Sequence, residues 1–160
     1  VNMKSFLEKQ IRSKQGAVLN PEGKPIGVHP GASYFTIGQR IGPHLGICIE
    51  KPKGSEQEKW YIAEKQKNNI LIAAPENHPL LKKKSVILKS LHLINPKEKI
   101  PSQLKARIRH LGQFHPGKLI KKSNSYIFTL KKPVSSIAPG QSLVIYHNNR
   151  VIGGGEIRLK

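Results

Sequence analysis

From Ala17 to Leu159 every apolar run is cut short by a turn signal, and that punctuation decides what the chain can fold into. Gly and Pro recur every few residues as far as Pro52, as in a loop-rich β region. Short strands are expected at Ala17–Leu19 and Lys24–Val28. A hairpin is expected over Trp60–Lys65 and Ile70–Ala74, turning through Lys67, Asn68 and Asn69. After the run His78–Lys84 come five strand-like segments, Val86–Ile94, Leu104–His110, Tyr126–Leu130, Ser142–Tyr146 and Val151–Leu159. Asn95-Pro96, Pro116-Gly117, Ser123-Asn124, Pro139-Gly140 and Asn148-Asn149 read as the turns that punctuate them. Evenly spaced short strands without helices between them argue for a small antiparallel barrel or sandwich. Helical periodicity occurs once, in Met3, Phe6, Leu7 and Ile11, with Asn2 placed to cap it and Gly16 beyond its end. The expected fold is therefore mainly β. A small, loop-rich α+β domain led by this helix spans residues 1–81, and an antiparallel β-barrel spans 82–160.

Charge narrows the function. The chain has 160 residues, with 28 Lys and Arg against 9 Asp and Glu, a net charge of +19. Such an excess calls for a polyanionic partner, nucleic acid first, or for a highly solvated lysine-rich surface. A membrane partner is not expected: no apolar run nears the ~18 residues of a span, and no long basic amphipathic helix is visible. No signal-peptide pattern opens the chain, and Cys48 is the only cysteine, so an intrachain disulfide and a cysteine-based zinc site are excluded. A thiol-poor chain of this kind reads as cytoplasmic and monomeric.

Few residues invite catalysis. The seven histidines form no metal-ligand spacing, and carboxylates are scarce, so no metal is expected. Cys48 sits in the apolar stretch Leu45–Ile49 and reads as a buried, inert thiol. Gly153-Gly154-Gly155 lacks the Lys-Ser/Thr of a phosphate loop and marks a bulge or a close backbone approach in a strand. No catalytic triad or carboxylate pair can be assembled. The strand Leu104–His110 is more telling. Alternation puts Leu104, Ala106, Ile108 and His110 on one face and Lys105, Arg107 and Arg109 on the other. Three neighbouring cations suit a phosphate backbone, although a solvated barrel face would also carry them. Lys82–Lys84, Lys121-Lys122 and Lys131-Lys132 add to the basic character. In the segment from Gly27 to Arg40, a glycine-hinged turn leads through Tyr34 and Phe35 to Gln39 and Arg40, residue types suited to base or phosphate contacts. A tight structural corner explains the same residues.

Gly27-x-His29-x-Gly31 followed by Tyr34-Phe35-Thr36-Ile37-Gly38-Gln39-Arg40 closely resembles the signature of bacterial tRNA-specific 2-thiouridylases. The resemblance continues through Trp60-Tyr61-Ile62, Asn68-Asn69, Arg107-x-Arg109, Pro139-Gly140-Gln141 and Gly153-Gly154-Gly155-x-Ile157. It implies central and C-terminal domains that grip tRNA, the latter a six-stranded type of β-barrel. In the full enzyme that it implies, ATP with magnesium activates the C2 oxygen of the wobble uridine. A persulfide cysteine, charged by a sulfur-relay donor protein, then delivers sulfur. The S-G-G-x-D-S phosphate loop and the two catalytic cysteines of that family are missing here, and Cys48 matches neither. The chain is accordingly expected to be the tRNA-binding portion of such an enzyme, to hold no cofactor of its own, and to be inactive alone. Carried over, tRNA contacts fall on Arg107, Ile108 and Gln141. The charged face adds Lys105 and Arg109, and Gln39 and Arg40 are candidates for tRNA or a domain interface. Two departures stand out. The glycine-rich segment after Gln39-Arg40 reads Gly42-Pro43-His44-Leu45-Gly46, and Ile108 replaces a tyrosine, which removes a stacking ring there. A freestanding, non-enzymatic RNA-binding barrel is the alternative, and a small metal enzyme using the histidines a third.

Overall fold

The computed structural model describes residues 14–123 and 125–158, so the helix expected around Met3–Ile11 lies outside the described residues. The chain divides into two compact units between Leu81 and Lys82.

In the first unit the strands are β1 (Gly16–Leu19), β2 (Pro25–His29), β3 (Cys48–Ile49), β4 (Trp60–Gln66) and β5 (Ile70–Pro75). They form one mixed sheet in the order β3-β2-β1-β5-β4, parallel only where β1 meets β5. β5 reads Ile-Leu-Ile-Ala-Ala-Pro without alternation because both of its faces are covered. Leu71 and Ala73 pack with Val18, Phe35, Ile47, Trp60 and Ile62 on one side, and Ile72 and Ala74 with Ala63 and Leu81 on the other. The β4–β5 hairpin turns through Lys67–Asn69, where Asn68 and Asn69 hold φ of 61° and 62°. Asn tolerates this left-handed region better than most residues, which explains the Asn-Asn pair.

The second unit is a closed antiparallel barrel. Its strands are β6 (Lys82–Leu88), β7 (His92–Leu93), β8 (Leu104–Arg107), β9 (His115–Lys122), β10 (Ser125–Ser135), β11 (Ser142–His147) and β12 (Arg150–Arg158). The ring runs β11-β8-β9-β10-β6-β12 and closes through β11–β12, with β7 added beside β12. Closure removes the unpaired edges that invite aggregation. Inward residues alternate along each strand: Val86 and Leu88, Leu104 and Ala106, Phe128 and Leu130, Leu143 and Ile145 are all buried. Burying each of the larger ones is worth roughly 1.5–3 kcal/mol.

Four sequence expectations change. Val86–Ile94 is two strands, β6 ending at Leu88 and β7 at residues 92–93. The Lys82–Lys84 run, read as the end of the boundary segment His78–Lys84 with strands only after it, already belongs to β6. Pro116-Gly117 is no turn but lies inside β9. A Cβ on Gly117 would lie 2.4 Å from the ring of Phe128 and 2.4 Å from the Thr129 carbonyl oxygen, so glycine is required by the neighbouring strand. Finally, β8 ends at Arg107, so strand alternation stops there and His110 is exposed instead of facing the core. The Gly153–Gly155 triplet does mark a close approach: Cβ atoms would lie 2.3, 2.6 and 2.0 Å from the carbonyl oxygens of His92, Leu143 and Ser90.

Candidate nucleic-acid interface

The two halves of the chain carry very different charge. Residues 82–160 hold 17 Lys and Arg against two Glu, a net +15 of the total +19. Both of those carboxylates are occupied: Glu98 pairs with Arg150, and Glu156 lies 3.5 Å from Lys89. The remaining described cations of the barrel therefore have no carboxylate partner within it. An outer surface of this kind attracts a polyanion along its whole extent.

One cluster on this surface is built for more than charge. β8 lies between β11 and β9, with Tyr146 opposite Lys105 and Val144 opposite Arg107. Lys105 and Arg107 point outward because Leu104 and Ala106 fill the core. The Arg107 guanidinium carbon sits 4.1 Å from the centre of the Phe114 ring and 5.7 Å from that of Tyr146. The two rings meet edge to face at 4.9 Å, and the Lys105 ammonium lies 6.0 Å from Phe114. Contacts of this type hold the guanidinium plane by roughly 0.5–1 kcal/mol at a partly exposed site. Arg107 Nε is buried without a hydrogen-bond partner. An oriented guanidinium beside rings is suited to phosphate oxygens and base edges.

The other candidates are distributed differently. Ile108 is buried in the barrel core at 8% exposure, so its side chain faces away from the charged surface. Arg109, beyond the end of β8, donates from Nη2 to the Ser136 carbonyl at 2.9 Å and borders a separate hollow of about 210 Å³. The structure thus brings Lys105 and Arg107 together at the Phe114 ring, with Tyr146 beside Arg107, while Arg109 has other partners. Gln141 is half-buried, and its Oε1 accepts the Ala138 N–H at 2.9 Å, which leaves the Nε2 donors available. In the first unit, Gln39 Oε1 accepts the Thr36 N–H at 2.9 Å, and Arg40 is exposed and forms a single bridge with Tyr61.

The rest of the first unit's glycine-histidine motif is a structural corner. His29 is buried and hydrogen-bonded at both ring nitrogens, and Phe35 packs edge-on at 6.0 Å. Lys65 donates to the Phe35 carbonyl at 3.0 Å, and burial lowers its pKa. Cys48 is exposed on β3, correcting the expected burial: it follows the buried Ile47 and lies opposite Val28 of β2, itself 52% exposed, on an uncovered face of the sheet. Among the described residues, no three His, Cys, Asp or Glu side chains come together in a metal-binding group. No described helix is long and apolar enough to cross a membrane. Phe114 and Tyr146 were not singled out from the sequence. Alternation from Leu143 and Ile145 could have placed Tyr146 outward. Phe114 lies in a loop without periodicity, and only the fold brings it to Arg107.

Two family profiles cover nearly the whole chain. Residues 4–74 match the "tRNA methyl transferase PRC-barrel domain" and residues 83–157 the "Aminomethyltransferase beta-barrel domain". Among similar proteins are tRNA-specific 2-thiouridylases MnmA. That of Pseudomonas fluorescens is 33% identical over 157 residues, covering 96% of this chain and 41% of the relative. That of Vibrio vulnificus is 35% identical, covering 95% and 41%. That of Idiomarina loihiensis is 32% identical, covering 96% and 42%. The chain thus spans about two fifths of the length of these relatives.

Proposed function

Because this chain belongs to the tRNA 2-thiouridylase family, as its central PRC-barrel and C-terminal β-barrel domains, we propose that it is the tRNA-holding portion of such an enzyme. The observation that carries this reading is the Arg107 guanidinium stacked on Phe114 beside Tyr146, on a barrel of net charge +15. Lys105 adds a second cation near the Phe114 ring. Phe114 and Tyr146 supply aromatic faces on the outer surface beside Arg107. Arg109, Gln141 through its Nε2 group, Gln39 and Arg40 are secondary candidates. The reaction served is formation of 2-thiouridine at the wobble position. Activation of the uridine oxygen by ATP with magnesium, and sulfur delivery from a persulfide, would fall to residues outside these 160. A sulfur-relay donor protein would meet those residues rather than this chain.

The test is tRNA affinity and melting temperature measured together. Charge-assisted hydrogen bonds are worth roughly 1.5–3 kcal/mol, so Arg107→Ala is expected to weaken tRNA binding about ten- to a hundredfold. Its Tm should move only a few degrees, since the ring contact contributes about 1 kcal/mol or less. Phe114→Ala should weaken binding less, by releasing the guanidinium. Supplied with ATP, magnesium and a sulfur donor, the same wild-type preparation should form no thiouridine. Wild-type affinity in both variants, or thiouridine formed by this chain, would overturn the reading.

A further inference from the structure

We propose that a lysine-lined cleft in the barrel wall, joined to the Arg107 cluster through Lys105, is a second contact site that holds the phosphodiester backbone of the RNA. This deepens the reading above and rests on it.

The cleft has a volume of about 620 Å³, and Lys84, Lys105, Lys118 and Lys131 line it. Four strands supply these side chains. Lys105 on β8 lies in register with Pro116 of β9, and Lys118 of β9 with Thr129 of β10. Lys84 and Lys131 come from the place where β6 and β10 lose register. Between the pairs Thr129↔Ser85 and Val134↔Lys83, residues 130–133 of β10 stand against Lys84 alone. Such a bulge takes the extra residues out of the ladder and re-aims their side chains.

All four lysines are exposed, and no carboxylate lines the cleft. The barrel's two glutamates are engaged with Lys89 and Arg150. Like charges gathered in one hollow repel one another, and a polyanion offsets that repulsion. The floor is not polar. Ile120 is 52% exposed, and it lines the cleft beside Pro116 and Leu104. Cations along the walls over an apolar floor match a strand that presents phosphates on one side and sugar and base faces on the other. An acidic protein segment would satisfy the lysines too. Continuity favours RNA: Lys105 lines the cleft and also lies 6.0 Å from the Phe114 ring, so a phosphate track runs directly into a site with stacking faces.

The experiment compares the 160-residue chain with Lys84→Gln/Lys118→Gln/Lys131→Gln, a triple variant of exposed side chains outside the Arg107 cluster. Each phosphate neutralised contributes about 0.7–0.9 to the slope of log affinity against log salt, so the triple variant should lose about 2 from that slope for tRNA. Arg107→Ala should lower affinity with at most one contact's change in slope. In the unmodified chain, bound tRNA should protect Lys118 and Lys131 from an amine-acetylating reagent while Lys97 stays reactive, a readout that needs no variant to fold. An unchanged slope with both lysines still acetylated overturns the cleft proposal, and if Arg107→Ala still loses affinity the broader reading survives. If neither set of substitutions alters tRNA binding, the broader reading falls with it. A variant that loses binding to a poly-glutamate probe but keeps its tRNA slope would assign the cleft to an acidic protein segment and overturn the proposal.

Discussion

His29 shows how one side chain can organise a corner and carry a pH dependence with it. Its Nδ1 accepts the Gly31 N–H at 3.0 Å and its Nε2 meets the Asn69 carbonyl at 3.0 Å, so the ring is neutral with its proton on Nε2. Burial holds its pKa below the ordinary value, against the opposing pull of the Asn69 carbonyl. Charging the ring would also place a proton on Nδ1, facing the Gly31 N–H. The folded state therefore binds this proton less readily than the unfolded state does. The resulting stability is complete above the unfolded pKa of about 6.5 and is lost as pH falls below it toward the lower folded value. The melting temperature of the first unit should be level above pH 7 and decline between about pH 6.5 and 5, before carboxylates titrate. His29→Gln should melt lower throughout and lose that decline. A decline of equal size in the variant would place the titrating group elsewhere. The sequence showed His29 among glycines but not its role, because the partner Asn69 is 40 residues away and only the hairpin brings it back. Asn69 also accepts the Ala32 N–H on Oδ1 at 2.9 Å, which ties the same turn to the residues before Tyr34. Cys48 was misread for a related reason. An apolar run signals full burial only when both faces of the strand are covered, and the face that carries Cys48 and its partner Val28 is open.

At the scale of elements, the same turn is used twice. Thr36–Gln39 and Ala138–Gln141 each place glycine third, with φ of 82° at Gly38 and 83° at Gly140, as a type II turn requires. In each, the glutamine Oε1 accepts the N–H of the first residue, and the glutamine N–H reaches back to that residue's carbonyl. Each turn then docks on a strand through a pair of backbone bonds: Gly38 and Gln39 with Ile62 of β4, Gly140 and Gln141 with Ile157 of β12. The Gly-Gln pairs thus lock turns onto strands, whatever their side chains also touch. This separates two roles of Gln141. Gln141→Ala leaves the half-buried Ala138 N–H without its acceptor, at a cost of roughly 1–3 kcal/mol, and should lower the Tm of the barrel by several degrees. Gln141→Glu keeps an acceptor in place but removes the Nε2 donors and adds a negative charge. It should melt near the wild type and bind tRNA more weakly. If Gln141→Glu binds tRNA as the wild type does, Gln141 is a turn lock alone. The β4–β5 hairpin was legible because its Asn-Asn turn and flanking apolar runs are local signals. β9 was not, because Pro116-Gly117 imitates a turn and its glycine answers to Phe128 on the neighbouring strand.

For the whole molecule, net charge was legible at once but its placement required the two units to be told apart. Residues 1–81 carry 11 Lys and Arg against seven Glu, a net +4, beside the +15 of residues 82–160. Long-range attraction for a polyanion therefore falls mainly on the barrel, at distances up to a Debye length of about 8–10 Å in ordinary buffers. Short-range contacts then select the orientation, with Arg107, Phe114 and Tyr146 on one patch of the same unit. Amide hydrogen exchange of the intact chain, with and without tRNA, tests this division. At low salt, protection on binding should concentrate in β8, the loop through Phe114 and β9, with weaker effects in residues 14–81. Raising the salt from 50 to 200 mM should remove most of the protection, since six to ten phosphate contacts lose about 10³–10⁵ in affinity over that range. Protection centred on the first unit, or insensitive to salt, would mean that the barrel's charge is a solvated surface and that tRNA is held elsewhere.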